Sequence, residues 1–198
     1  MGLINVTNDS RRIFEGSIFL VLFCLTIPLA NWMLGHVGTV CPPNDPCLLP
    51  VVPSLFGLPS LMAPSGVVMI GFALVLRDLV QRRLGLEFGL AAIVAGTALS
   101  ALVAPQTLVI ASAAAFFVSE LADFAVYTPL ARRRLVLAVV ASSLLGIAID
   151  STVFLWLAFG SLDFLIGQMV GKAWMVMLSI PFIVYLRRRD ERLGLTPA

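Results

Sequence analysis

Apolar residues fall into six long windows, at about 14–37, 64–82, 88–104, 106–128, 135–159 and 163–186, separated by short polar or Pro/Gly breaks. Each window approaches the ~20 residues that a helix needs to cross a hydrocarbon layer, and together they use most of a 198-residue chain. The expected fold is therefore all-α: one domain over 1–198, built as a polytopic membrane bundle of six transmembrane helices with no soluble domain left over. Arg11 and Arg12 precede the first window in the manner of a secretory signal. The apolar run continues through Trp32, Met33 and Leu34, however, and no small-residue cleavage site follows, so a retained first span is expected. The breaks around Pro105 and around Gly160 to Asp163 are a few residues long, which predicts that helices three and four, and five and six, pack as antiparallel hairpins. The segment 41–63 is too rich in proline for a helix. It is expected to be an irregular loop on the outer face, folded over the bundle as a partial lid because its amides cannot face lipid.

Composition narrows the function classes. The chain is 60% hydrophobic and 12% charged, with a mean hydropathy of +1.02, which excludes a water-soluble fold. It carries no phosphate-binding loop, no HExxH and no nucleophile–base set, so neither an enzyme nor a nucleic-acid binder is expected, and no cofactor is implied. The net charge of +2 says less than its distribution. Arg11 and Arg12, then Arg77, Arg82 and Arg83, then Arg132 to Arg134, then Arg187 to Arg189 with Arg192 lie at alternate ends of successive windows. This places twelve of the thirteen basic residues on one face. The preference of Lys and Arg for cytoplasmic loops makes that face the cytoplasm and puts both termini there.

Against this apolar background Glu120, Asp123, Asp150 and Lys172 lie inside spans, and Asp78 lies near the cytoplasmic end of the second. A charge at the bilayer centre costs at least ~2.5–3.5 kcal/mol, so such residues face a protein interior and mark pathways. At a rise of ~1.5 Å per residue, Glu120 sits ~18 Å, Lys172 ~22 Å, Asp150 ~24 Å and Asp123 ~13 Å above the nearest cytoplasmic Arg cluster. Glu120, Asp123 and Tyr127 share one helical face, as do Gln168 and Lys172. The two stripes and Asp150 are expected to converge on a polar cavity. Trp156, Trp174, Phe116, Phe117 and Phe124 are the aromatic candidates beside it, and Asn31 and Thr26 the weaker polar ones on the first helix. Lys172 is expected to pair with Glu120 or Asp150. Three acids against one lysine still leave acceptors that need donors, from water, a ligand rich in N–H groups or a coupled proton. Asp78 and Arg82, four apart, are expected to pair as a boundary anchor.

Cys41 and Cys47 lie in the outer loop as either a disulfide or two free thiols. Cys24 reads as a core residue, and His36 has no obvious co-ligands. Ala92 with Gly96, Ala111 with Ala115, and Gly167 with Gly171 are spaced for close helix packing within the chain rather than for dimerisation.

The stretches APSGVVMIGFALVLRDLVQRRLG (Ala63 to Gly85), SELADFAVYTPL (Ser119 to Leu130), and SSLLGIAIDSTVFLWLAFG followed by GQMVGKAWM resemble the queuosine precursor transporter family, earlier described as vitamin-uptake-transporter-like. The resemblance runs from about Leu61 to Leu186. It implies a six-helix protein of the bacterial inner membrane, similar in architecture to the substrate-binding subunits of energy-coupling-factor transporters. The cargo it implies is a purine-like small molecule, a deazaguanine base carrying a cyano or aminomethyl group. Glu120 or Asp150 would accept the paired N–H groups of the guanine-like edge and Gln168 would bond the carbonyl edge. Asp123, Lys172, Trp174 and Asn31 complete the expected substrate set. The alternative functions are a substrate-binding subunit of an energy-coupling-factor-type vitamin transporter, docked on a separate ATP-driven motor, and a non-transporting membrane assembly role; a homo-oligomer is a further alternative assembly.

Overall fold

A computed structural model describes residues 2–43, 46–54 and 60–195, with side chains from Ser10 onward. Six long helices follow one another: α1 (Gly2–His36), α2 (Val67–Leu84), α3 (Leu86–Val103), α4 (Val109–Ala131), α5 (Leu135–Phe159) and α6 (Leu165–Leu193). Their bounds lie within three residues of the apolar windows, because a chain in hydrocarbon must bond every peptide group within its own segment, except that α1 begins at Gly2, well before 14, and α6 runs on past 186 to Leu193. Five of the six, all except α2, are long and apolar enough to cross a membrane. Large apolar side chains such as Leu102, Ile110, Ile166 and Leu178 stand outward on them, each more than 60% exposed. Such a surface suits lipid and not water.

α2 is built differently. Its 18 residues include Arg77, Asp78, Arg82 and Arg83, and all four are buried. It runs through the middle of the bundle against α1, α3, α4, α5 and α6. A Cβ on Gly71 would stand 2.5 Å from the carbonyl oxygen of Lys172, so only glycine lets α2 and α6 cross this closely. The other small residues serve the same purpose. Gly96 faces the rings of Phe116 and Phe23, and Ala92, Ala111 and Ala115 are buried within the chain.

The outer segment departs from expectation. In place of an irregular loop, β1 (Leu48–Val52) and β2 (Leu61–Pro64) pair antiparallel, with Leu48 opposite Pro64 and Pro50 opposite Met62. Among the described residues, apart from Leu48, which also bridges to Val40, each strand of the ribbon keeps one unpaired edge, and proline is tolerated there because it has no N–H to lose. Part of the connecting chain, residues 55–59, and residues 44–45 lie outside the described residues. Cys41 and Cys47 form a disulfide. The ribbon is held to the end of α1, where Cys47 N donates to Leu34 O at 2.7 Å and Ser65 Oγ to Met33 O at 2.7 Å. It is also held to α6, where Trp174 Nε1 donates to Val51 O at 3.2 Å.

The opposite end is closed by ions. Asp190 of α6 accepts from Arg82 Nη2 at 2.9 Å and from Arg83 Nη2 at 2.8 Å, while Glu15 of α1 takes Arg83 Nε at 2.9 Å and Arg189 Nη2 at 2.6 Å. The pairing of Arg82 with Asp78 expected from their spacing is not formed: Arg82 bonds across to Asp190 of α6 instead.

Candidate functional site

The buried charges divide into two networks at different levels of the bundle. The first lies just beneath the β ribbon. Lys172 Nζ donates to the carboxylate of Asp150, to Ser151 Oγ at 2.9 Å and to Gln168 Oε1 at 2.9 Å, which uses all three of its hydrogens. Of the two partners foreseen for Lys172, the structure selects Asp150. Asp150, Gln168 and Lys172 border a cavity of about 70 Å³ to which all six helices contribute. Asn31 enters from α1, Ser100 from α3, Ser112 and Phe116 from α4, Asp150 and Phe154 from α5, and Gln168 and Lys172 from α6. Val67 and Ile70 of α2 supply part of the apolar wall. The first three helices are thus walls of the site and not only scaffold. Asp150 Oδ1 has Ser119 Oγ at 3.5 Å as its partner, and the Gln168 amide nitrogen donates to no described side chain while its oxygen is held by Lys172. The cavity is thus lined by a carboxylate whose Oδ1 has one long bond, from Ser119, and by an amide whose nitrogen donates to no described side chain.

The second network is deeper. Arg77 of α2 is fully buried and its guanidinium is surrounded by acids: Asp78 Oδ1 at 2.8 Å from Nη1, Glu120 Oε2 at 2.8 Å from Nε, and Asp123 Oδ1 at Nη2. Nη1 also donates to Gln81 Oε1 at 3.2 Å. The rings of Phe124 and Tyr127 stand 5.6 Å and 5.9 Å from the guanidinium carbon, within cation–π range. Glu120, Asp123 and Tyr127 do share a face, as their spacing predicts, but that face meets Arg77 and not the cavity.

Of the residues expected to bind substrate, Asn31, Asp150, Gln168 and Lys172 meet at the cavity, whereas Glu120 and Asp123 lie in the Arg77 network. Trp174 is 48% exposed and serves to hold the ribbon. Among the aromatic candidates only Phe116 borders the cavity. Trp156 and Phe117 face outward. Thr26 is spent on Phe23 O of its own helix at 2.6 Å. The described residues hold no His/Cys/Asp/Glu grouping suited to a metal ion.

Residues 103–186 match the model of a family described as "Putative vitamin uptake transporter". Over this stretch the chain is vitamin-uptake-transporter-like. The match takes in α4, α5 and the membrane part of α6, and so contains Glu120, Asp123, Asp150, Gln168 and Lys172. It begins well after Ala63 to Gly85, so the resemblance read from the sequence extends further toward the N-terminus than the match does. No curated protein and no solved structure matches the chain. The transporter-like segment, together with five apolar helices that present their large side chains outward, makes this a multi-pass membrane protein.

Several residues of the two networks carry no strong signal of their own in the sequence, the serines Ser100, Ser112 and Ser151 among them, but Phe154 and Arg77 do. Phe154 was not singled out, although it lies four residues after Asp150 and therefore on the same helical face. Arg77 was grouped with the cytoplasmic arginines. A signal was present: it directly precedes Asp78 and stands five residues inside Arg82, about 7.5 Å further into the span.

Proposed function

We propose that this chain imports a queuosine precursor, a deazaguanine base carrying a cyano or aminomethyl group, from the outer face of a bacterial inner membrane into the cytoplasm. The observation that carries the reading is the cavity at which Asp150, Gln168, Lys172 and Asn31 meet beneath the ribbon. A guanine-like edge offers a ring N–H and an exocyclic NH₂ to the Asp150 carboxylate, a geometry that suits two parallel hydrogen bonds. The free amide hydrogens of Gln168 suit the neighbouring carbonyl, and Phe116 and Phe154 offer ring faces to a planar heterocycle. Lys172 orients the Asp150 carboxylate. Since an apolar cavity of about 150 Å³ is what accommodates benzene, a bicyclic base requires these walls to open beyond the present 70 Å³, and the ribbon over α1 and α6 is the element placed to lift.

In this reading α2 is a sixth crossing. Its 18 residues rise about 27 Å, close to the hydrocarbon thickness, and its charges are shielded by the other helices. Six crossings with the Arg clusters inward put both termini in the cytoplasm, in an arrangement similar to energy-coupling-factor binding subunits. The chain works as a carrier and not as an enzyme, needs no cofactor, and its protein partners are settled by one measurement: uptake by the purified chain alone in liposomes excludes an obligatory ATP-driven motor. Asp150→Asn is expected to abolish uptake of labelled cyano-deazaguanine while the protein still inserts at normal levels. Uptake unchanged in that variant would remove Asp150 from the site.

A further inference from the structure

The Arg77 network has more negative charge than one arginine can balance. Asp78, Glu120 and Asp123 are each 1% exposed or less, as is Arg77, and with all four ionised the cluster would carry a net charge of −2. Uncompensated charge at this depth is too costly to persist. A metal cation does not fit, because the carboxylates converge on the guanidinium and no described set of acids shares a metal-sized point. A cationic cargo does not fit either, because Glu120 and Asp123 do not border the cavity. Protons on the carboxyl oxygens remain as the compensating charge, and two of them would bring the cluster to neutrality.

Two further observations locate a path for a proton. The Tyr127 hydroxyl is fully buried against the cluster and has no hydrogen-bond partner, and Asp123 Oδ2 is likewise unpartnered. Moreover, the cluster separates two cavities. The outer one reaches Asp150, whose Oδ1 stands 3.5 Å from Ser119 Oγ, the neighbour of Glu120 in the chain. A second cavity, of about 50 Å³, reaches Tyr127 and Gln81 from the side of Arg82 and Arg132. Glu120, Asp123 and Tyr127 thus form a stripe of about 10 Å down one face of α4, which reaches the inner cavity at Tyr127 and is joined to the outer one through Ser119 and Asp150. The charged and titratable groups facing this stripe are Arg77, Asp78 and Arg82 from α2, Asp150 from α5, beside Ser142 of the same helix, and, through Asp150, Lys172 from α6.

We infer that the Asp78–Glu120–Asp123 cluster around Arg77 is a proton-carrying partition between the two cavities, and that cargo entry is coupled to proton entry. A carboxylate of the cluster takes a proton from the outer water by way of the Asp150 cavity, forming one O–H bond, and returns it to cytoplasmic water past Tyr127. Protonation removes one of the charges that hold α4 to Arg77, which loosens the contact between α2 and α4 while cargo is bound. The inference rests on the uptake reading above.

The test uses the purified full chain in liposomes with the membrane potential clamped and labelled cyano-deazaguanine as the probe. Exchange of internal for external label tests uptake itself, and accumulation under an imposed pH gradient, acid outside, tests coupling. One proton per cargo predicts accumulation of up to about tenfold for a tenfold proton gradient, with internal acidification on cargo addition. Asp123→Asn is expected to keep exchange and lose most of the gradient response. Exchange that proceeds normally in the wild type but ignores the pH gradient, or follows a sodium gradient instead, overturns the proton inference and leaves the uptake reading standing. Absence of any exchange removes both. Should Asp123→Asn fail to insert, Glu120→Gln takes its place, and a full gradient response in whichever variant inserts overturns the assignment to this cluster.

Discussion

Arg77 and Lys172 show how differently two buried cations can be placed. Lys172 holds one acid and two neutral oxygens and stands beside an open cavity, whereas Arg77 engages three acids in a region without one. The planar guanidinium, with five N–H donors in fixed directions, can hold Asp78, Glu120 and Asp123 at once in a way an ammonium cannot. Removing one partner of such a buried group is expected to cost about 3–5 kcal/mol, because it strands the remaining charges. Arg77→Gln should therefore lower the unfolding temperature in detergent sharply, and adding Asp123→Asn to it should recover part of the loss. A neutral single variant as stable as the wild type would mean that the cluster is already discharged. The sequence showed the acids and their shared face on α4, but the partner of that face lies 43 to 46 residues away, on another helix. Spacing along one helix carries no information about which neighbour it meets.

The helices follow directly from apolar run length, and the glycines determine how closely they approach. Gly167 and Gly171 were read as helix-packing residues, and part of what they admit is the ribbon: a Cβ on Gly167 would stand 2.1 Å from Met62 O, and one on Gly171 would stand 2.9 Å from Val51 Cγ1. Backbone cannot yield as a flexible side chain can, so Gly167→Val is expected to lift β2 from α6 and to break the bond from Trp174 to Val51. The measurement is the rate at which the Cys41–Cys47 disulfide is reduced in the folded protein. It should rise several-fold, and an unchanged rate would show that the anchors at Leu34 and Met33 hold the ribbon alone. The ribbon itself was not legible, because two prolines within short strands argue against strand structure unless the sheet has free edges, and the number of edges is a tertiary property.

At the scale of the whole molecule, one end is closed by a disulfide-bonded ribbon over a cavity, and the other by Asp190 and Glu15 drawing Arg82, Arg83 and Arg189 together. Closure at both ends, with the Arg77 cluster between, is the arrangement a carrier needs if it is never to open to both sides at once. Its orientation can be checked by labelling. After mild reduction, a membrane-impermeant maleimide should reach the exposed Cys41 in intact cells, whereas Arg133→Cys should react only after lysis. The opposite pattern would invert the topology.

The sequence by itself determined the all-α membrane class, the approximate helix bounds, and the list of polar residues too costly to face lipid. These are local properties, set by run length and transfer cost. Only the tertiary structure decided how those polar residues divide: Asp150, Gln168 and Lys172 at a cavity shared with Asn31, Glu120 and Asp123 around Arg77, and Trp174 on the ribbon. The physical reason is that a buried charge is defined by its partner, and partners are chosen by the rotation and crossing of whole helices, which no single window of sequence encodes.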